Sequence, residues 1–326
     1  MTRVLVTGAN GFVGRTVCPR LIEAGCVVRA AVRDMGEYGV DFIKEAVGDV
    51  VCVGDIDGET QWSDVIRDID AVIHLAARVH ILQEVSKNPL ESFRSVNVQG
   101  TKRLAEEAVR HGVKRFVYAS SISVHGNSTA DHPYVEDDEV DPRSHYAISK
   151  WEGEIALREL ASRSDLELVV VRPPLVYGPG VGGNFLRLMS WSDKGLPMPL
   201  GSINNLRSFI GIDNLADLIA RCVLHNAAAG QVFLAADGED LSTPNLIRRI
   251  ALLLGRPARI LPFPVAVLRR SASLFGMNEV MDRLCNSLQV NSDKARRVLG
   301  WRPRVSLEEG LSRTAGWYVD VCRKNK

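Results

Sequence analysis

The chain has 326 residues, 46% of them apolar and 24% charged, and its 40 basic and 39 acidic side chains leave a formal net charge of +1. That length supports a large core in one large or two smaller domains, and the balanced charge gives no whole-chain case for binding nucleic acid or an anionic membrane surface. Six scattered cysteines with no CxxC pair fit reduced thiols in a cytosolic protein better than a disulfide framework or a zinc site, so no metal is expected. The start "MTRVLVTGANG" lacks a signal-peptide pattern, and no apolar run is long enough to span a bilayer.

In chain order, "RVLVTG" is a β-branched run closed by glycine and predicts a buried strand, followed by a helix over "GFVGRTVCPRLIEAG". "VVRAAV" and "AVGDVVCVGDI" predict a second and a third strand, the latter ending at Asp55. "SDVIRDI" predicts a short helix and "DAVIHLAA" a fourth strand. "NPLESFRSVNVQGTKRLAEEAVRHG" predicts a long helical region broken near Asn97–Gly100. A fifth strand over "KRFVYASS", a helix over "HYAISKWEGEIALRELASRS" and a sixth strand over "LELVVVRPP" follow. This alternation predicts parallel βαβ units in a doubly wound sheet.

After Arg172 the texture changes. "PPLVYGPGVGGN" is rich in proline and glycine and reads as a loop. Helices are expected over "IDNLADLIARCVLHNAAAG", "STPNLIRRIALLLG" and "SLEEGLSRTAGWYVDVCRK", with a short strand at "GQVFLAA". "PFPVAVLRRSASLF" reads as a helix packing on its own domain in preference to an amphipathic membrane-surface helix. The expected division is a dinucleotide-binding domain over 1–172, rejoined by about 208–235, with a substrate-binding region over 173–207 and 236–326.

Two motifs carry chemistry. In "TGANGFVG" the glycines Gly8, Gly11 and Gly14 stand between the first strand and the first helix. There glycine permits a tight turn, a close approach to a pyrophosphate and close helix–strand packing, and the helix N-terminus favours phosphate. In "HYAISK" Tyr146 and Lys150 lie four apart and share a helix face. A nearby ammonium is expected to lower the phenol's pKa and suit it to proton transfer. In "YASSISVHG", Ser120 and Ser121 end the fifth strand, where ligands bind in parallel sheets.

Together with "GDI" at 54–56, "HLAA" at 74–77, "NVQGT" at 97–101, "RPPLVYGPG" at 172–180 and "LGW" at 299–301, these motifs resemble the extended short-chain dehydrogenase/reductase family. The resemblance covers essentially the whole chain and points to the nucleotide-sugar branch: 4-epimerases, dehydratases and 4-keto reductases. It implies an α/β fold, a Rossmann-like doubly wound parallel sheet with a smaller, mostly helical C-terminal substrate-binding region. It implies Ser121, Tyr146 and Lys150 as the catalytic triad. For the cofactor it implies the loop Gly8, Asn10, Gly11, Phe12, Val13 and Gly14, with Arg33, Asp55, Ile56, Leu75, Ala76, Ala77, Tyr146, Lys150 and Pro173. For a UDP-sugar it implies Ser121, Ser123, Asn184, Arg207 and Arg283. Asn97 is expected to tie helix to strand and His125 to be a satisfied loop histidine. A homodimer through the helices of "VNVQGTKRLAEEA" and "SKWEGEIALREL" is also implied.

Departures from the family pattern narrow the branch. Ile122 and Ser123 stand where 4,6-dehydratases of this branch carry an Asp-Glu pair, which disfavours water elimination. NAD-binding epimerases end the second strand with an aspartate that binds the adenosine ribose. That place is Val32 here, with Arg33 and Asp34 after it. An arginine there can pair with a 2′-phosphate, so NADP ranks ahead of NAD. The sequence therefore puts an NADPH-dependent reductase of a UDP-4-keto-6-deoxy-N-acetylhexosamine, serving surface-polysaccharide synthesis, ahead of a UDP-hexose 4-epimerase with tightly bound NAD. A non-catalytic cofactor-binding regulator is the remote alternative.

Overall fold

The computed structural model describes residues 1–79 and 88–323. Strand β1 (Arg3–Thr7) leads through α1 (Gly14–Glu23) to β2 (Val27–Val32), and α2 (Val40–Val47) leads to β3 (Asp49–Cys52). After β4 (Ala71–His74) come α3 (Pro89–Arg94) and α4 (Thr101–Arg110), then β5 (Arg115–Ala119), α5 (His145–Ala161) and β6 (Glu167–Arg172). The remainder comprises β7 (Leu175–Tyr177), α6 (Gly183–Asp193), β8 (Phe209–Gly211), α7 (Ile212–Leu224) and β9 (Val232–Leu234). It ends with α8 (Thr243–Leu253), α9 (Val265–Leu274), α10 (Asn278–Cys285), α11 (Asp293–Leu299) and α12 (Leu307–Trp317).

Seven strands form one sheet in the order β3-β2-β1-β4-β5-β6-β9, every pair parallel. The connection reverses direction between β1 and β4, and such a switch point opens a crevice at the carboxyl ends of the strands. Burial on both faces explains the unbroken apolar runs. Alternate residues of β1 serve opposite layers. Val4 and Val6 join the core formed with Val17 and Leu21 of α1 and Leu215 of α7, whereas Leu5 joins Leu104 of α4 and Leu157 of α5. β7 and β8 form a separate two-stranded sheet.

Three local expectations are corrected. No helix forms over 63–69: Trp62 and Ile66 are drawn fully into the core and Asp68 adopts φ 60°, leaving a chain of turns. The break expected near Asn97–Gly100 is a π-helical turn, Ser95–Gly100, that keeps α3 and α4 continuous. A Cβ on Gly100 would lie 2.6 Å from Ile56 Cγ2, so the "GDI" segment crosses the helix at this glycine. The stretch after Arg172 is more ordered than a loop, supplying β7 and the start of α6. Among the described residues no helix is long and apolar enough to cross a membrane.

Candidate active site

The glycine loop closes around the end of β1. Gly8 has φ 66°, and a Cβ there would lie 2.9 Å from the Ala76 backbone nitrogen. On Gly14 a Cβ would lie 2.3 Å from the Gly8 carbonyl oxygen. Only glycine permits both approaches, and the first presses the loop against Leu75, Ala76 and Ala77 at the end of β4. The Ala76 N–H donates to Thr7 Oγ1 at 3.3 Å, and the Gly11 N–H donates to the Gly8 carbonyl at 3.0 Å. Phe12 and Val13 are partly buried at the entry to α1, whose N-terminus has no side-chain cap. Uncapped N–H groups behind a glycine turn suit a pyrophosphate, so the residues present fit a dinucleotide.

At the end of β2 the structure adds a residue that the sequence reading missed. Arg33 Nε donates to Glu37 Oε1 at 2.7 Å, with a second bond from its Nη2. Glu37 Oε2 accepts from Asn10 Nδ2 at 2.9 Å. The hydrogen bond from Asn10, then that from Arg33, holds the Glu37 carboxyl below its ordinary range. Glu37 in turn holds the Arg33 guanidinium pKa up. The Asp34 carboxylate accepts from the Gly36 N–H at 2.9 Å and so serves its own turn. Asp55 is exposed, 3.9 Å from Arg33 Nε, and Ile56 is partly buried. The Arg33/Glu37 separation of four gave no signal, because residues 33–39 form turns ahead of α2 rather than a helix with a shared face.

Ser121, Tyr146 and Lys150 lie together at the ends of β5 and α5. Ser144 caps α5 by accepting from the Ala147 N–H at 3.2 Å, which starts the helix at His145, one residue before Tyr146. Ser121 Oγ accepts from the Ser123 hydroxyl at 2.9 Å and the Ser123 N–H at 3.2 Å, and it hydrogen-bonds Tyr146. Lys150 is 1% exposed, with Nζ 3.9 Å from the centroid of the Tyr118 ring. Burial pushes its amine down to about 7, opposed by the Glu154 charge. Burial also pushes the Tyr146 phenol up to about 12, opposed by the Ser121 hydrogen bond. The expected lowering by Lys150 is therefore not seen; desolvation wins.

Asn97 acts as a tie. Its Oδ1 accepts from the Arg78 N–H at 2.8 Å, and its Nδ2 donates to the Arg78 carbonyl at 3.0 Å and to Ser149 Oγ at 2.9 Å. It joins the segment after β4 to α5 one residue before Lys150.

Beneath the trio lies a second group that the sequence reading did not single out. Glu154, fully buried, accepts from the Ser120 hydroxyl, from Arg172 Nε at 3.0 Å and Nη2 at 2.6 Å, and from Arg158 at 2.6 Å. Burial pushes its carboxyl up, but Arg172, Ser120 and Arg158 outweigh that and hold it below the usual carboxylate range. Arg172 Nη1 also donates to His125 Nε2 at 2.7 Å, and His125 stacks on Tyr134. Burial and the neighbouring Arg172 push His125 down to about 4, which keeps it neutral.

The expected substrate residues lie on the C-terminal side. Pro173, partly buried, accepts through its carbonyl from the Ile122 N–H at 2.9 Å. Asn184 is exposed in the first turn of α6. Arg207 Nη1 donates to the Asn286 carbonyl at 3.0 Å, and burial followed by the Arg283 charge pushes its pKa down to about 10. The structure thus brings Arg207 and Arg283 together. Two mutually repelling cations with one partly buried form a site that an anion would relieve. Arg283 is exposed and reaches Glu279 at 3.4 Å.

The NAD dependent epimerase/dehydratase family matches residues 4–236, a span holding the glycine loop, Ser121, Tyr146, Lys150 and Arg207. The chain belongs to this family. It is 40% identical over 321 residues to the UDP-glucose 4-epimerase of Vibrio cholerae, covering 98% of this chain and 96% of that one. It is 28% identical over 341 residues to the N-acetyl-alpha-D-glucosaminyl-diphospho-ditrans,octacis-undecaprenol 4-epimerase of Escherichia coli O157:H7, covering 99% and 97%. Among solved structures, MoeE5 in complex with UDP-glucose and NAD aligns with a TM-score of 0.78 at 26% identity, covering 98% of this chain and 99% of that one. The family has NAD as its cofactor.

Proposed function

We propose that the chain is a UDP-hexose 4-epimerase working with tightly held NAD. One observation carries the choice over a reductase: the Glu37 carboxylate, anchored to Asn10 of the glycine loop and paired with Arg33. A carboxylate at the end of β2 accepts hydrogen bonds from ribose hydroxyls and repels a 2′-phosphate. It takes the place of the absent aspartate, and it engages the arginine that would otherwise favour NADP. The 40% identity to a UDP-glucose 4-epimerase supports the same reading.

The glycine loop and the α1 N-terminus would hold the cofactor's pyrophosphate, Glu37 its adenosine ribose, Leu75, Ala76, Ala77 and Pro173 the walls of its cleft, and Lys150 its second ribose. NAD, when bound, would supply a reversible hydride acceptor for C4 of the sugar. Tyr146 takes the C4 hydroxyl proton and gives it back. Ser121 hydrogen-bonds the same oxygen, and Ser123 holds Ser121 in place. Arg207 and Arg283 grip the diphosphate, which suits a forked guanidinium. Ile122 is buried and Ser123 carries no carboxylate, so the acid–base pair of a 4,6-dehydratase is missing from the position after Ser121.

The NADPH-dependent 4-keto reductase remains the second reading, because the Arg33 side chain is 65% exposed and could exchange Glu37 for a phosphate. Cofactor titration of two variants separates the readings. For the epimerase, Glu37→Gln weakens NADH about 10-fold or more and spares NADPH, while Arg33→Ala changes NADH by less than about 3-fold. For the reductase, Arg33→Ala weakens NADPH at least about 10-fold. Conversion of UDP-glucose or UDP-GlcNAc to its C4 epimer without added cofactor tests the activity itself. NADPH consumption with only a UDP-4-keto-6-deoxy sugar would reverse the choice.

The diphosphate grip makes its own prediction. Arg207→Ala is expected to raise KM for the UDP-sugar about 10–100-fold and to weaken inhibition by UDP equally, with kcat changed much less. Arg283→Ala, at an exposed position, has the smaller effect. A KM unchanged in Arg207→Ala would remove the arginine from the substrate site.

A further inference from the structure

Helix α9 packs only one face on its own domain. Val265, Leu268 and Ala272 turn inward, the first two against a cluster holding Met198, Ile203 and Ile247. Arg269 fastens α9 to α10 by donating to Asp282 Oδ1 at 2.8 Å and Asn286 Oδ1 at 2.6 Å. Apolar side chains around that helix are left uncovered: Val267 and Leu274 of α9, Phe263 before it, Phe275 and Met277 after it, and Val280 of α10 are all exposed, Leu274 by 86% and Phe275 by 79%. Single exposed apolar residues are ordinary, but six within eighteen consecutive residues make a patch.

Charge says what fits the patch. Val267, Arg270 and Leu274 step by three and four, so a cation sits in the middle of the apolar stripe. Arg270 has no acidic partner among the described residues, and exposed Arg259 flanks the stripe in the chain. The nearby acids are engaged: Asp282 by Arg269 and Glu279 by Arg283. The net charge of +1 thus hides a local cationic, apolar face. An isologous contact with a second copy centred on this stripe would press Arg270 against itself. An apolar helix face studded with arginine suits the boundary of an anionic bilayer, where side chains enter the acyl region and guanidiniums meet phosphates.

We propose that the outward face of the α9–α10 hairpin docks on an anionic lipid bilayer. The hairpin also carries Arg283, beside Arg207, so docking would bring the candidate diphosphate site close to the membrane surface. The inference does not depend on which sugar reaction the chain performs.

Vesicle flotation of the full chain tests it. With vesicles of phosphatidylcholine and phosphatidylglycerol the protein is expected to float, with far less on phosphatidylcholine alone and release by high salt. Leu274→Ser/Phe275→Ser and, separately, Arg270→Glu should each cut the floated fraction at least tenfold. Both should keep the wild-type melting temperature and cofactor content, because these side chains are exposed. Failure to float on either vesicle, or equal floating of wild type and variants, overturns the proposal. So does a halving of the solution mass in the Leu274/Phe275 variant, which would assign the face to a second copy.

Discussion

Replacing Tyr146 with phenylalanine should lower kcat about 10³-fold while leaving bound cofactor and the folded state unchanged. The phenol of Tyr146 is the group that Ser121 hydrogen-bonds at the ends of β5 and α5. Burial raises its pKa to about 12, which favours the protonated phenol at neutral pH. Two charges can lower it: the ammonium of Lys150 and the positively charged ring of oxidised NAD. Burial lowers the Lys150 pKa to about 7, opposed by the Glu154 charge, which weakens the help its ammonium can give. Bound ribose hydroxyls and diphosphate would favour its ammonium form. Loading NAD into the wild type should therefore produce a tyrosinate difference spectrum that the Tyr146→Phe variant lacks. The amine loses its proton as pH rises, so Lys150→Met should mimic the alkaline loss of activity. Activity of Tyr146→Phe within threefold of wild type would defeat the catalytic reading and revive that of a cofactor-binding regulator.

Much of this site was legible in the sequence because its chemistry is tied to spacing. Three glycines after a strand can be read as a phosphate turn, and Tyr146 and Lys150 share a helix face by their separation of four. The structure added why two of the glycines are obligatory: Gly8 lies against Leu75 and Ala76 just after β4, and Gly14 touches the turn itself. What escaped was decided by contacts distant in the chain. Glu37 matters because Asn10 reaches it across 27 positions, and no local pattern announces that. The segment 63–69 has helical spacing, yet Trp62 and Ile66 gain more by entering the core than a seven-residue helix could return. The π-helical turn at Ser95–Gly100 looked like a break because an extra residue shifts the apolar register. Its use becomes plain only when Asn97 is seen holding Arg78 and Ser149. At Arg33 the charge at the strand end was readable, but its pairing with Glu37 was not.

Removal of the Glu154 carboxylate is the change expected to cost the fold most. Glu154→Ala leaves the Arg172 guanidinium buried with His125 as its remaining side-chain hydrogen-bond partner and the Trp151 ring beside it, and His125 is held neutral. Breaking a buried pair from one side costs about 3–5 kcal/mol, because the stranded charge keeps its desolvation penalty. For a chain of this size that corresponds to a melting temperature lower by roughly 5–10 °C. Glu154→Gln keeps the shape and an acceptor oxygen and should lose less. Removing both charges in Glu154→Leu/Arg172→Met should recover part of the single-variant loss, since neither partner is then stranded. The carboxylate has a second consequence one helical turn away. It opposes the lowering of the Lys150 amine, so Glu154→Gln should move the alkaline loss of activity to lower pH even where the protein remains folded. A Glu154→Ala variant that melts within 1 °C of wild type would show that the carboxylate does not anchor α5 to the sheet, and a Glu154→Gln variant with an unshifted alkaline limb would show that it does not tune the amine above it.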